Sequence, residues 1–436
     1  MKNRIIIIAL VCLMVYLNMT AVKAQEVVAT SFVKEDVNQD GVVNTADVVA
    51  IYNYIASGEL SGIEGDLADV NLDGTVNAAD IAALYNKIAS PTLAYENLIV
   101  CNEGNWQSDN GQLSFYSGAT GEVTNKWFRT VNGIKLGDTP NDILQVNDTL
   151  IVIAVNWSNI IQYIRPDGTA CGATENVPNN RRMCSDGKYL YVTSYAHKCG
   201  NTTFTKGYVA KIDLQTKEVT ATCEVGWEPE GIRLYNGKLF VANTGGYAFS
   251  EKHDYETTVS VIDSKTMTVL RNIDTGCINL YGEVSQAGRY LCINSCGDYY
   301  DVEPATVILD CEDYTFKVFN FPCTYNTTDG ELFYTVGSRY SYYTGEYKYF
   351  INTIDPKTLS VTKGIYTEAI TSKIESLISP YELYISPYSG NIYFTDAKSY
   401  ATAGYLYGYS KAGEELFKPK KVYINPAHML ALPVYK

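Results

Sequence analysis

Residues 229–246 read PEGIRLYNGKLFVANTGG and, after a polar loop, residues 257–273 read TTVSVIDSKTMTVLRNI. Two apolar runs flank Asn236-Gly237, a pair that tolerates the positive φ required at both centres of a tight hairpin turn. Asp263-Ser264-Lys265 makes a second turn, between VSVI and the Thr/Val-rich run after it. The stretch predicts four antiparallel strands in 45 residues.

The unit recurs. Its second strand, an apolar triplet, reappears as Leu98-Ile-Val, Leu150-Ile-Val, Leu190-Tyr-Val, Leu239-Phe-Val, Leu291-Cys-Ile, Leu332-Phe-Tyr and Ile392-Tyr-Phe. Seven copies of one four-strand order predict a mainly all-β fold, a seven-bladed β-propeller. The alternative, a pair of ordinary β-sandwiches, has no reason to repeat that order. The first strand precedes the triplet at Pro140-Asn-Asp-Ile, Pro229-Glu-Gly-Ile and Pro380-Tyr-Glu-Leu, but nothing comparable precedes Leu98. The chain end, Pro426-Ala-His-Met-Leu-Ala-Leu, has the missing pattern. Residues 428–432 are therefore expected to complete the first blade, closing a propeller over residues 95–436 and hiding its sheet edges.

Residues 1–24 read as a signal peptide: Lys2 and Arg4 precede the apolar run Ile5–Tyr16, and Val22-Lys-Ala24 fits a cleavage site. The run is too short for a permanent anchor, so no transmembrane segment is expected in the mature chain. Val11 before Cys12 is a poor lipoprotein context. The reading is an exported protein, extracellular or on the cell surface, with the periplasm as the other compartment. Removing Lys2, Arg4 and Lys23 with the leader takes the formal charge from −14 to −17. An acidic chain without a Lys/Arg cluster is a poor partner for nucleic acid. Ten cysteines remain, and local pairs such as Cys184–Cys199 and Cys311–Cys323 are feasible. Others, such as Cys101 and Cys292, read as small core residues in apolar strands.

The segment before the repeats carries a sharp signal. Asp36, Asn38, Asp40, Val42, Asn44 and Asp47 are matched by Asp69, Asn71, Asp73, Thr75, Asn77 and Asp80. Oxygen ligands at loop positions 1, 3, 5, 9 and 12, a carbonyl at 7, and Gly41 or Gly74 at 6 form a calcium loop of EF-hand type. Two copies 33 residues apart, each leading into an amphipathic helix, predict two calcium ions in a small helical module. A core this small leaves much of the folding energy to the metals.

Asp in place of Glu at position 12, and the missing entering helix, resemble a type I dockerin over residues 34–90. The resemblance implies one calcium per loop and helices that bind a cohesin-like domain. Partner choice would be read at Thr45-Ala46 and Ala78-Ala79, where well-studied dockerins commonly carry a Ser-Thr pair. Ser90-Pro91-Thr92 follows as a short linker.

The loops between second and third strands are long and aromatic. With the loops leading into each first strand, they place Trp106, Trp157, Tyr195, His197, Trp227, Tyr247, Tyr281, Tyr300, Arg339, Tyr342 and His428 on one face as candidate ligand contacts. Trp227, just before Pro229, is expected nearest the axis. Tyrosine is abundant, at 37 residues, so many rings must pack between blades. No HExxH, G-x-S-x-G or Walker motif occurs, and loop acids such as Asp254, Glu256, Asp298, Asp301 and Glu303 are scattered.

Tyr191-Val-Thr-Ser194, Val259-Ser-Val-Ile-Asp263 and Val241-Ala-Asn243 resemble the repeats of YVTN or YncE-like propellers. Asn102-Glu-Gly-Asn-Trp106, Asn132–Asp138 and Pro426-Ala-His-Met are similar to surface propellers of gut-type Gram-negative anaerobes, some of which capture cobalamin and pass it to an outer-membrane transporter. No binding residue is carried over from them. The expectation is a non-catalytic protein holding a small-molecule or glycan ligand on one face. The alternatives are a lyase or glycosidase, favoured by acids gathered in the funnel beside the aromatics, and a purely structural surface protein.

Overall fold

The computed structural model describes residues 27–28, 37–38, 42–57, 65–71, 75–89, 93–341 and 346–435. The expected signal peptide, the linker at 90–92, Asp36, Asp40, Asp73 and Tyr342 lie outside these residues. The chain divides into two compact units, one of residues up to 92 and one spanning Leu93–Val434. Among the described residues no helix is long and apolar enough to cross a membrane.

The smaller unit is two helices, Thr45–Ser57 and Ala78–Ala89, with one helical turn at Gly65–Ala68 and a short pairing of Val27–Val28 with Val42–Val43. Each long helix opens on an asparagine cap. Ala46 N donates to Asn44 Oδ1 at 2.7 Å, and Ala79 N to Asn77 Oδ1 at 2.8 Å, satisfying amides the helix itself cannot. Val37, Val48, Ile51, Ala68 and Leu84 form its buried core.

The larger unit is seven four-stranded antiparallel sheets, which is the expected propeller and excludes the paired sandwiches. Six sheets run in chain order from the inner strand outward, beginning at Pro140–Asn147, Asn180–Ser185, Pro229–Tyr235, Ser285–Ala287, Tyr325–Thr328 and Pro380–Ile385. In the remaining blade, counted first, the inner strand is Pro426–Tyr435, beside Leu93–Asn102. The Asn236-Gly237 turn has φ of 47° and 73°, and Tyr235 pairs with Lys238 across it. That conformation matches the right-handed twist of the strands it joins.

Four of the seven third-to-fourth turns share a device that the sequence showed only at Asp263. Asp213, Asp263, Asp310 and Asp355 end their strands and accept amide hydrogens two residues on, from Gln215, Lys265, Glu312 and Lys357, at 2.8–3.0 Å. The fifth residue of each turn, Lys217, Met267, Tyr314 or Leu359, takes a positive φ. The aspartate side chain thus replaces a backbone acceptor and makes the reversal.

Register decides which loops meet. Pro140 pairs with Val155, Asn180 with Ser194, Pro229 with Asn243 and Pro380 with Asp396. The start of each inner strand and the end of the second therefore share one edge, and the loops there form one face, called upper here. Sequence patterning missed the hairpin of Lys198–Cys199 with Thr202–Thr203 and the short helices Trp127–Asn132 and Glu368–Glu375. It also left disulfides open, and these do not form: all ten cysteines from Cys101 to Cys323 are free thiols. Cys184 and Cys199 join different core clusters, packing against Tyr191 and Tyr208 respectively, so neither reaches the other. Cys101 and Cys292 are fully buried core residues.

Candidate functional site

The first residues of the inner strands line the axis, and they are charged. Arg181 Nε and Nη2 donate to the two oxygens of Glu230 at 2.8 and 3.1 Å. Arg182 Nε lies 3.2 Å from Glu230 Oε1 as an ion pair without hydrogen-bond alignment. The Tyr195 hydroxyl donates to the same carboxylate. Arg233 pairs with Glu283, and Arg182 Nη1 donates to Asn141 O and contacts His428 Nε2. Burial pushes Glu230 up, but Arg181 and Arg182 outweigh it and hold the carboxyl below its ordinary range.

Other acids there have no such compensation. Burial and then Glu283 push Asp142 up to about 7 against the pull of Arg182 and Arg233. The same two causes carry Glu382 well above the carboxylate range. Burial, followed by the three arginines, holds His428 well below its usual value, so its ring is neutral at pH 7. On the lower face the axis opens into a cavity of about 740 Å³ bordered by Asp142, Arg233, Glu283, Glu382, Tyr384 and His428. Ligand atoms of Asp142, Glu283 and His428 lie within 4.8 Å of one another, but Arg182 and Arg233 already supply positive charge there.

The expected upper-face aromatics gather in groups that bridge neighbouring blades. Trp106 and Trp157 meet edge to face at 5.1 Å, with 63% and 47% of their surface exposed. Tyr195 packs on Tyr247 at 5.5 Å, and Phe249 on Tyr300 at 6.3 Å. Tyr381 links Tyr325 to Tyr400, and its hydroxyl donates to Glu103. Tyr281 is half-exposed, its hydroxyl 3.5 Å from Arg181 Nη2. Arg339 reaches Glu303 at 2.9 Å.

Two residues are not where they were expected. His428 lies buried on the axis, because the second residue after Pro426 points inward as Asp142 does after Pro140. Trp227 is not nearest the axis. It sits in the seam of blades three and four, packed on His197 at 5.4 Å and stacked on His253 at 4.2 Å, while Glu230 takes the axial place. The charged axis itself was missed. Its signal was there, as a charged residue or histidine within two residues of the proline in Pro140-x-Asp142, Pro229-Glu230, Pro380-x-Glu382 and Pro426-x-His428.

In the smaller unit the two loops close identically. Asp47 is fully buried, accepting Asn38 N at 3.0 Å and Asn44 N at 2.8 Å. Asp80, equally buried, accepts Asn71 N at 3.1 Å and Asn77 N at 2.8 Å. Loop position 12 thus ties down positions 3 and 9 in both copies. Residues 34–89 match the dockerin type I domain. No curated protein matches the chain. Among solved structures, a quinonprotein alcohol dehydrogenase-like protein from Bacteroides thetaiotaomicron is similar at 15% identity and a TM-score of 0.55, over 77% of this chain and 78% of that one. A hypothetical selenium-binding protein from Sulfolobus tokodaii is similar at 10% identity and a TM-score of 0.52, over 79% and 94%. At such identities these likenesses speak for the fold alone.

The dockerin region's residues fit calcium. Neither buried carboxylate, Asp47 nor Asp80, has a Lys or Arg partner among the described residues, and a buried charge needs a counter-charge. Bound calcium would supply it and fasten each loop to its helix. Chelation is expected to abolish amide protection across both dockerin helices while leaving the propeller's thermal transition in place. Asp47→Ala with Asp80→Ala should do the same, and protection that survives chelator would show that metal does not drive this fold. Ala46, Ala78 and Ala79, expected to read out a partner, are exposed at the helix starts, with Thr45 half-buried.

Proposed function

We propose that the protein is exported and tethered at the cell surface, with a propeller that captures a ligand without transforming it. The dockerin region would hold two calcium ions and dock on a cohesin-like domain. The upper face would hold a flat, partly apolar ligand, a corrinoid such as cobalamin or the face of a sugar. The exposure of the Trp106–Trp157 pair carries this reading. Rings that serve only to pack blades have no reason to leave half their surface in water, whereas rings that stack ligands must. Phe249, Tyr299, Tyr300 and Tyr400, each at least half exposed, extend the apolar surface around the same face.

One observation favours an enzyme instead: Asp142 and Glu382 are held protonatable beside the axial cavity, as acid–base chemistry on a polysaccharide would need. Isothermal titration with cobalamin and a glycan panel separates the readings. Binding is expected, and Trp106→Ala with Trp157→Ala should weaken it about tenfold or more, since each stacked ring adds about 0.5–1.5 kcal/mol beyond burial. The melting temperature should stay unchanged, because both rings are exposed. Turnover of a glycan that Asp142→Asn abolishes would replace this reading with the enzyme, and no binding at all would leave a structural role.

A further inference from the structure

The chain has three histidines, and two of them, His197 and His253, pack on Trp227 at the upper-face seam between blades three and four. His197 comes from the loop after Tyr189–Ser194, Glu228 immediately precedes Pro229, and Glu251 and His253 come from the loop after Lys238–Asn243. One ligand atom each of His197, Glu228 and Glu251 lie within 4.8 Å of one another. His253 Nε2 is 3.4 Å from Glu228 Oε2 and 3.8 Å from Glu251 Oε2.

The polar atoms at this point are unsatisfied. Glu228 is fully buried; its Oε2 accepts Tyr247 N at 3.2 Å, but Oε1 has no hydrogen-bond partner. The His253 side chain is 5% exposed and its Nε2 is likewise without a hydrogen bond. His253 Nδ1 lies 3.0 Å from Asp254 O, and a carbonyl only accepts, so Nδ1 carries the proton. In the neutral ring the Nε2 lone pair then faces two carboxylate oxygens. Acceptors buried against acceptors need a cation between them. Lys206 does not supply it, being engaged by Glu256 at 2.8 Å. The Trp227 indole, parallel to His253 within 11° and packed on His197, forms an apolar wall that holds both imidazoles.

We infer that His197, Glu228, Glu251 and His253 form a site for a divalent transition-metal ion. Two imidazoles and two carboxylates suit zinc rather than calcium, and the carbonyl on His253 Nδ1 is the outer contact that typically orients a metal-binding ring. The competing arrangement is a protonated His253 paired with Glu228, which makes no use of His197.

The test is titration of the full chain with zinc in excess calcium, followed by calorimetry and by quenching of Trp227 fluorescence with copper(II). One zinc per chain is expected. His197→Ala and Glu228→Gln should each weaken binding at least about tenfold. Glu251→Gln should weaken it too and leave the fold intact, since that side chain is 39% exposed. Copper quenching should disappear in His197→Ala. Absence of binding, binding undiminished in folded His197→Ala and Glu251→Gln variants, or a cobalt(II) spectrum showing thiolate ligation by the free cysteines would overturn the assignment.

Discussion

Truncation after Asn425 is expected to abolish cooperative folding of the propeller. The lost strand, Pro426–Tyr435, is the inner strand of blade one, and its side chains serve two seams. Met429 and Ala431 pack with Leu98, Tyr393 and Leu406, and Leu432 packs with Ile99 and Ile153. Also lost are the bond that Ala431 N donates to the Tyr384 hydroxyl oxygen at 3.1 Å and the one that Thr395 Oγ1 donates to Pro426 O at 2.6 Å. Each buried large side chain contributes about 1.5–3 kcal/mol. With the exposed edge of Leu93–Asn102 added, the loss rivals the roughly 5–15 kcal/mol by which domains are stable at all. Deletion of residues 25–92 should by contrast leave the propeller's transition within a few degrees. Calorimetry of the two truncations decides the matter, and a cooperative transition in the chain ending at Asn425 would show that closure is dispensable.

Replacing Glu230 by alanine should cost about 3–5 kcal/mol, the range for breaking a buried ion pair from one side. The carboxylate is wholly buried and serves Arg181, Arg182 and Tyr195 at once, so its loss strands two guanidinium groups at the axis. Glu230→Gln, which keeps the shape but not the charge, should fall between the two. Glu415→Ala offers a contrast: its partner Lys418 is 88% exposed, where water and salt screen the pair, so its loss should be far smaller. Urea unfolding measures all three. A loss below about 1 kcal/mol at Glu230 would mean that water already reaches the network.

The fold was legible because each blade repeats a short apolar triplet and a turn whose chemistry is local, as at Asn236-Gly237. The dockerin loops were legible for the same reason, their oxygen ligands lying within twelve residues of one another. The axis was not. Arg181, Glu230, Glu283 and His428 come from four blades, and a charged residue in a strand carries no periodic signal of the partner it will meet. His428 and Trp227 were placed on the right edge of their blades, but side-chain direction depends on strand alternation and on the neighbouring blade. The free cysteines follow similarly: proximity in sequence placed Cys184 and Cys199 together, while the sheet sent them to different cores.

Ring closure by the final strand also sets the order of events during biosynthesis. The partners of Leu98 and Val100 in the first blade, Met429 and Ala431, are more than three hundred residues away in the chain. Six blades can form as they emerge, but the first lacks its inner strand until the last residues arrive. A chain with such distant pairing folds slowly and presents an open apolar edge meanwhile. For a protein of this build, folding cannot finish before synthesis does, and anything that delays the final residues prolongs the interval in which one molecule's first blade can take another molecule's tail.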